Sequence, residues 1–410
     1  MANTDIKWFS FDNTNAPQLT NTWGCLIDVL DACLVTGFGT QLVSNLTILD
    51  GVGTATFGSN HSFKQFQVIE FSGSTIPELN KEFKILGITS NKIEFVIDLP
   101  DQTVTGTISA KLASLGWTKA FTGTQKAVYQ AKDKVSNPYF LRVDNSRDPV
   151  YTTTYAKFAK VGVLESCSGI DDIGGNQFPF DNSNPSKNWV GTGSGSSAIA
   201  GWFKWQYAVH ESAATSTAWY ESEGTTDGLR RWVIIGTKDS LYIINSATVN
   251  SILEIPYSFG VIQHNGLPKP YLIATNRYAS ANSTVLCATP LGDPDRVEVA
   301  SLYNYAGVKI NTFFSKLITG FGSVKSGVAT NLIKPDPLDG LILTPFYLLD
   351  PDNYILDKLP LVKCCTNNAT TIANYTIFTE PNRAYIGCRF RTAAGGVLGL
   401  LLFTIFDEVS

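Results

Sequence analysis

With 410 residues, 44% of them hydrophobic and 12% aromatic, the chain has ample material for packed cores, which excludes a disordered polypeptide. Its length exceeds what one core usually serves, so two or three domains are expected. The net charge of −4, with basic residues in pairs such as Lys132/Lys134 and Arg230/Arg231 and not in stripes, argues against nucleic-acid binding.

Charged residues make up only 16% of the chain, low for a free-standing enzyme. A surface short of charge and supplied with Asn, Thr and Ser suits a protein covered by neighbours. A monomeric β protein rich in those residues is the alternative. The opening MANTDIKWFSFDN has neither a basic n-region nor an apolar h-region, so no signal peptide is expected. The longest apolar run, Gly396 to Phe406, is about 11 residues and too short for a membrane span of roughly 20. It reads as a buried strand or strand pair, and membrane insertion is not expected.

Residues 1–43 read as an N-terminal arm and one short helix. The arm carries Trp8, Phe9 and Phe11 and is broken by Pro17. From Trp23 to Val35, apolar residues at Leu26, Val29, Leu30, Cys33 and Leu34 keep helical spacing. Asn21 or Thr22 is placed to cap the start and Gly37 to end it.

Residues 44–112 read as a small all-β barrel or sandwich. Strands are expected at Thr54–Phe57, Gln67–Phe71, Phe83–Ile88, Lys92–Ile97 and Thr103–Lys111, with turn formers between them. His61 falls in a loop and reads as a turn residue.

Residues 113–410 read as a larger β-rich domain with long loops. The stretch Gly116 to Asn145 begins with a tryptophan-led turn holding Trp117 and Phe121. Strands then follow at Lys126–Gln130 and Tyr139–Val143. Tyr151 to Glu165 suggests another strand pair. Ser168 to Ser197 is a long polar loop containing Phe178, Phe180 and Trp189, a length usually tied to function or interfaces. Within it, Gly191–Gly195 lacks the Lys-Ser/Thr of a phosphate loop and reads as flexible loop. Trp202, Trp205 and Trp219 bring aromatics together. A hairpin is expected from Arg231–Gly236 and Ser240–Ile244, turning at Thr237–Asp239.

The order of these residues resembles a family of tailed-bacteriophage virion structural proteins, associated with tail and baseplate. The resemblance runs through Lys7–Ser10, Cys25–Gly39, Gly116–Gln130, Leu141–Asp144, Phe178-Pro179, Arg231-Trp232 and Ser258–Gly260. It continues through Asp336–Leu341 and Arg383–Tyr385, covering nearly the whole chain. The small β module also looks like one met repeatedly in phage tail and fibre proteins. Departures lie at Ile170–Gly175, in the longer Glu211–Arg230 segment and in the apolar close, Leu400–Phe406. The family has no assigned catalytic residues. The resemblance therefore implies a virion component made in a host bacterial cytoplasm, not an enzyme.

The chemistry-bearing residues agree with that expectation. His210-Glu211 is an adjacent pair whose side chains point apart on a strand. Asp171/Asp172 and Asp350/Asp352 are acids in loops, where solvated turn residues are common. Asp350–Asn353 lacks the glycine and distal glutamate of a calcium loop. Seven cysteines (Cys25, Cys33, Cys167, Cys287, Cys364, Cys365, Cys388) form no CxxC pair, so free buried thiols are favoured over zinc, with disulfides open after release from the cell. No cofactor and no metal site are expected.

The reading is a homo-oligomer, partnered by its own copies and other virion proteins. Its contacts are expected at Trp8, Phe9, Phe11, Phe178, Phe180, Trp189, Trp202 and Trp205, with Trp117 and Phe121 as interface anchors that seat the small module on the larger domain. The alternatives are a receptor-binding module that grips a host surface glycan through Trp202, Trp205 or Trp219, and a capsid decoration or neck protein.

Overall fold

The structure, a computed structural model, describes residues 2–173, 177–214, 219–251, 254–283, 289–291, 300–301, 316–319, 336–338, 341–365, 372–391 and 397–408. Among them the fold is mainly β, with named strands paired antiparallel in four sheets and one short helix. Cys287 and the Asp339-Gly340 and Gly174-Gly175 elements lie outside the described residues.

A central sheet runs in the order Lys7–Ser10, Trp232–Gly236, Leu241–Asn245, Ile255–His264, Leu267–Ile273 and Ala300–Ser301. Its residues alternate between two cores. Phe9, Ile234, Ile243, Tyr257 and Phe259 join one. Trp8, Ile235, Tyr242, Ile244 and Tyr271 join the other. Burial on both faces explains why WVIIG and LYIIN read as unbroken apolar runs. The expected hairpin is present, with Trp232–Gly236 paired to Leu241–Asn245 and Thr237 N–H donating to Ser240 O.

On one face lies a helix-side sheet, ordered Thr118–Gly123, Lys126–Gln130, Phe140–Asp144, Lys157–Leu164, Phe203–Ala208 and Thr275–Asn276, with Gln177–Phe178 beside Lys157–Leu164. The two strands expected after Gly116 are here, paired from Lys126↔Asp144 to Gln130↔Phe140. The segment read as a tryptophan-led turn holds a third strand, Thr118–Gly123, because Lys119 and Phe121 continue the ladder around a bulge. Tyr151–Glu165 contains one strand and not a pair. Thr152, Thr153 and Thr154 are exposed and precede the ladder.

Against the other face packs a C-terminal sheet, ordered Lys316–Thr319, Leu341–Leu349, Ile355–Cys365, Val397–Asp407, Arg383–Arg391 and Ile377–Glu380, with Asp336–Leu338 beside Leu341–Leu349. Phe346, Leu348, Leu359, Leu401 and Phe403 share the core of Trp8 and Tyr242. The apolar run near residue 400 is the single strand Val397–Asp407.

The small module is a curled sheet ordered Glu82–Lys84, Val68–Ser74, Gly106–Leu112, Phe38–Leu49, Val52–Phe57, Lys92–Val96 and Gly87–Ile88, with Gln102–Val104 beside Phe38–Leu49. The stretch Phe83–Ile88, expected as one strand, splits. Ile85 N–H donates to Gln67 O while Leu86 N–H donates to Glu94 O, so consecutive residues serve opposite edges. That switch curls the sheet around Phe71, Phe83 and Phe95, whose rings lie 4.5–5.9 Å apart. Its first long strand begins at Phe38, ahead of residue 44. Its core is continuous with the main one, since the Phe38 ring meets Phe9 at 5.9 Å and Trp232 at 6.5 Å.

The expected arm is in part an edge strand. Lys7–Ser10 pairs with Trp232–Gly236 because Trp8 and Phe9 can each enter a core only when that segment is extended. The helix α1, Cys25–Leu30, continues as a π-helical turn over Asp31–Thr36. Neither Asn21 nor Thr22 caps it. Instead Asn145 Oδ1 accepts from Gly24 N–H (3.0 Å) and Leu26 N–H (3.1 Å). Gly37 ends the helix as expected, at φ 70°, where a Cβ would stand 2.3 Å from Leu112 O.

Trp117, just after the curled sheet, ties the helical segment to the central sheet. Its N–H donates to Leu34 O, its Nε1 to Thr237 O (3.0 Å), and its ring meets Phe259 edge-on at 5.9 Å. Trp117→Ala is expected to cost about 3–5 kcal/mol and to expose the chain near residue 115 to protease. Digestion at the wild-type rate would remove Trp117 from this role.

Candidate functional site

The densest group of ionisable side chains lies on the outer face of the helix-side sheet. Strand register sets Lys126 opposite Asp144, Asp144 opposite Lys160, and Lys160 opposite Lys204. A charged row thus crosses four strands whose other face feeds the apolar core. Loops bring Asp148, Asp171 and Glu221 to it. Lys160 Nζ lies 3.1 Å from Asp148 and 3.5 Å from Asp144, and donates to Trp189 O at 2.7 Å. Lys126 reaches Asp171 at 3.1 Å. Lys204 Nζ donates to both Glu221 oxygens, at 2.7 and 2.9 Å.

Asp144, Asp148 and Glu221 are each held by several donors, while Asp171 stays exposed beside Lys126. Glu221 also accepts from Tyr151 OH (2.5 Å) and Gln206 Nε2 (3.2 Å). Asp148 also accepts from Gly191 N–H at 2.9 Å. Burial lowers the Lys204 pKa against the pull of Glu221. Burial, then the Glu221 charge, pushes the Tyr151 phenol up. The long loop closes the row from outside: Trp189 covers the Arg142 guanidinium at 4.2 Å, and its Nε1 donates to Gln177 at 2.7 Å. Asn188 Nδ2 donates to Val161 O at 2.8 Å. The arrangement fastens residues 177–200 and 219–223 to the sheet by charge-assisted bonds. Isolated charges inside apolar strands (two in FLRVD, one each in FAKVGV and FKWQY) are the sequence signal for this row.

Most rings expected at contacts serve the chain's own interior. Trp8, Phe9, Trp117, Phe178, Trp189 and Trp205 are buried here, each filling a gap between layers or under the loop. Phe11, Phe121, Phe180 and Trp202 are half-buried. The saccharide platform expected at Trp202, Trp205 and Trp219 is not assembled as a surface. Trp205 and Trp219 are interior, with Trp205 Nε1 donating to Ile273 O. Trp202 lies beside Tyr278 and is covered by Lys187 Nζ, 3.8 Å from its ring centroid.

The remaining candidates are turn and loop fixtures. Asp350 Oδ1 accepts from Asp352 and Tyr354 N–H, shaping a turn. Asp172 accepts from Ser168. His210 Nδ1 meets Ser212 Oγ while Glu211 accepts from Val249 N–H, so the two act separately. His61 Nε2 meets Lys92 O. Gly191–Gly195 lies in a closed turn, bridged Thr192↔Ile199 and capped by Ser194 and Ser197. Cys25, Cys33, Cys167, Cys364, Cys365 and Cys388 are free thiols. Among the described residues no group of three His, Cys, Asp or Glu side chains is placed to hold a metal, and no helix is long and apolar enough to cross a membrane. An open polar cleft of about 530 Å³ lies beside α1, where Asp31 is held by Lys119 and Tyr129 OH, each at 2.7 Å.

No family model and no curated protein matches the chain. Among solved structures it is similar to the phage phi92 endosialidase, with a TM-score of 0.16 and 8% identity. The alignment covers 90% of this chain and 52% of that one, so the chain spans about half the length of that structure. At this level the likeness does not define a shared fold.

A second buried carboxylate joins two layers. Glu254 accepts from Arg231 (2.9 Å) and Asn374 (3.3 Å), and its N–H donates to Arg389 O in the C-terminal sheet. Burial raises its pKa from 4.5 to about 7, with Arg231 opposing. Between those values the folded chain keeps a proton that the unfolded chain has released, so its contribution to stability falls as pH rises through that window. Urea melts across the window should show this slope, and Glu254→Gln should flatten it. An unaltered slope would reject the assignment. At the charged row, Glu221→Ala should cost about 3–5 kcal/mol by stranding Lys204, while Lys204→Met with Glu221→Leu should recover most of it. Equal losses in the single and double variants would contradict the pairing.

Proposed function

We propose that this chain is a non-enzymatic structural component of a bacteriophage virion, assembling as a homo-oligomer around the tail or baseplate. The observation that carries the reading is the use made of its ionisable groups. The richest cluster, Lys126, Asp144, Lys160, Lys204, Asp148 and Glu221, is a closed brace beneath a loop, each acid held by more than one donor. A reaction centre needs a group free to exchange a proton or attack a substrate, and this cluster holds its groups fixed. The resemblance of the residue order to phage virion structural proteins supports the same reading, because those positions build architecture. Trp8 and Phe9 tie the first strand into two cores, Cys25–Leu30 forms α1, and Trp117 bonds to the central hairpin at Thr237.

Assembly draws support from the surface. Leu49, Val52 and Val96 stand directly opposite one another across three strands of the curled sheet, and all three are exposed. An aliphatic row of this kind on an outer face suits contact with another protein.

The expected outcome is that proteomics of purified particles finds the chain at stoichiometric level, and that native mass spectrometry of the isolated protein gives a multiple of the chain mass. A strictly monomeric protein missing from purified particles would overturn the proposal.

A further inference from the structure

Three connections, one from each stacked layer, meet at one end of the molecule. The first is the segment 131–139 of the helix-side sheet. The second is the Asn265-Gly266 turn between Ile255–His264 and Leu267–Ile273 of the central sheet. The third is the turn 350–354 between Leu341–Leu349 and Ile355–Cys365 of the C-terminal sheet. The alternation of the central strand sets their order. Gln263 faces one side, with its Nε2 donating to Ser136 O at 3.4 Å, and Tyr139 OH donates to Pro268 O at 3.2 Å on that side. The next residue, His264, faces the other, with Nδ1 2.7 Å from Leu356 O. The central turn is therefore held between the other two.

Each connection exposes aliphatic or aromatic side chains at this end: Val135 (89% exposed), Leu267 (63%), Tyr354 (57%) and Ile355 (51%). They lie within these connections or at the first position of the strand that follows, next to backbone held by the bonds above, so they are displayed on a rigid base. They stay exposed among the described residues, and apolar side chains gathered at three adjoining connections mark an interaction surface.

The charges around this row differ from end to end. Beyond Val135 stand exposed Lys132 and Lys134, with Lys238 paired to Asp133 at 2.7 Å. Beyond Tyr354 stand Asp352 and Asp357, with Lys358 beside them. The surface is basic at one end, apolar in the middle and acidic at the other. A copy of the same surface turned by a two-fold axis through Leu267 sets each basic end against an acidic end and each apolar centre against its twin.

We infer that this end of the molecule is a self-association surface, and that its occupant is a second copy of the chain in a two-fold contact centred on Leu267. The inference rests on the assembly reading above and assigns one of its interfaces. Tyr354 and Ile355 of each copy flank the axis, and the charged ends fix the register of the pair.

Sedimentation velocity of the full chain over a range of concentrations tests it. Wild type should self-associate, and Leu267→Asp should weaken that association by about tenfold or more. Lys134→Glu should weaken it too, and adding Asp352→Lys should restore it, since the reversed ends match again. Val135→Asp gives a second apolar probe, and circular dichroism with thermal melting shows that each variant is folded. Self-association that survives Leu267→Asp and Val135→Asp overturns this surface while leaving the assembly reading intact. A wild type that stays monomeric at every concentration, though present in particles, overturns the two-fold contact and the homo-oligomer with it.

Discussion

Burial of the central sheet on both faces is the constraint on which the other layers depend. Antiparallel sheets commonly leave one face to water, and this one cannot, because Val233, Ile235, Tyr242 and Ile244 point one way while Ile234, Ile243, Tyr257 and Phe259 point the other. Covering only one face would leave a row of large apolar side chains in solvent. The helix-side sheet and the C-terminal sheet are thus each required by alternate residues of the same strands. Trp8 and Phe9 show the principle at its smallest scale, as adjacent rings committed to different cores.

The polar interior follows from that arrangement. Once the helix-side sheet gives its apolar face to the central layer, its other face is left to Arg142, Asp144, Lys160 and Lys204. The long loop then buries these charges instead of leaving them wet. Buried ion pairs are costly to desolvate and add little net stability over apolar residues of similar volume. What they add is geometry, since each acid of the row accepts only from donors at particular places. Asn145 works in the same way with a neutral group: one side chain caps α1, donates to Phe158 O and donates to Tyr207 OH. Helix and sheet are held in one relation by a single amide.

Much of the β architecture was legible because strand alternation and turn residues are local signals. Lys126–Gln130, the Trp232–Asn245 hairpin and the module strands could be read from apolar periodicity and from Gly, Asn and Asp between them. The helix was legible from its three-and-four spacing, but its cap was not, since Asn145 lies far along the chain from Gly24. The burial of Trp8, Trp189 and Trp205 was also hidden. A tryptophan looks the same in sequence whether it anchors a partner or fills its own core, and only the layer order decides. The charged row was visible only as odd residues in apolar strands. The register that sets Asp144 beside Lys160 is a property of pairing, which composition does not carry.

The pairing of Lys7–Ser10 with Trp232–Gly236 has a consequence for the order in which the chain acquires its shape. Trp232 Nε1 donates to Pro17 O across 215 residues of sequence. As the polypeptide leaves the ribosome, the first strand has no partner until most of the curled sheet and the helix-side sheet have been synthesised. Contacts between such distant segments are slow to form, because a long loop must close before they stabilise anything. The curled sheet, whose pairings all lie between Phe38 and Leu112, has no such delay and can organise first. Trp8 and Phe9 then wait undocked, and their late docking seals the edge of the central layer.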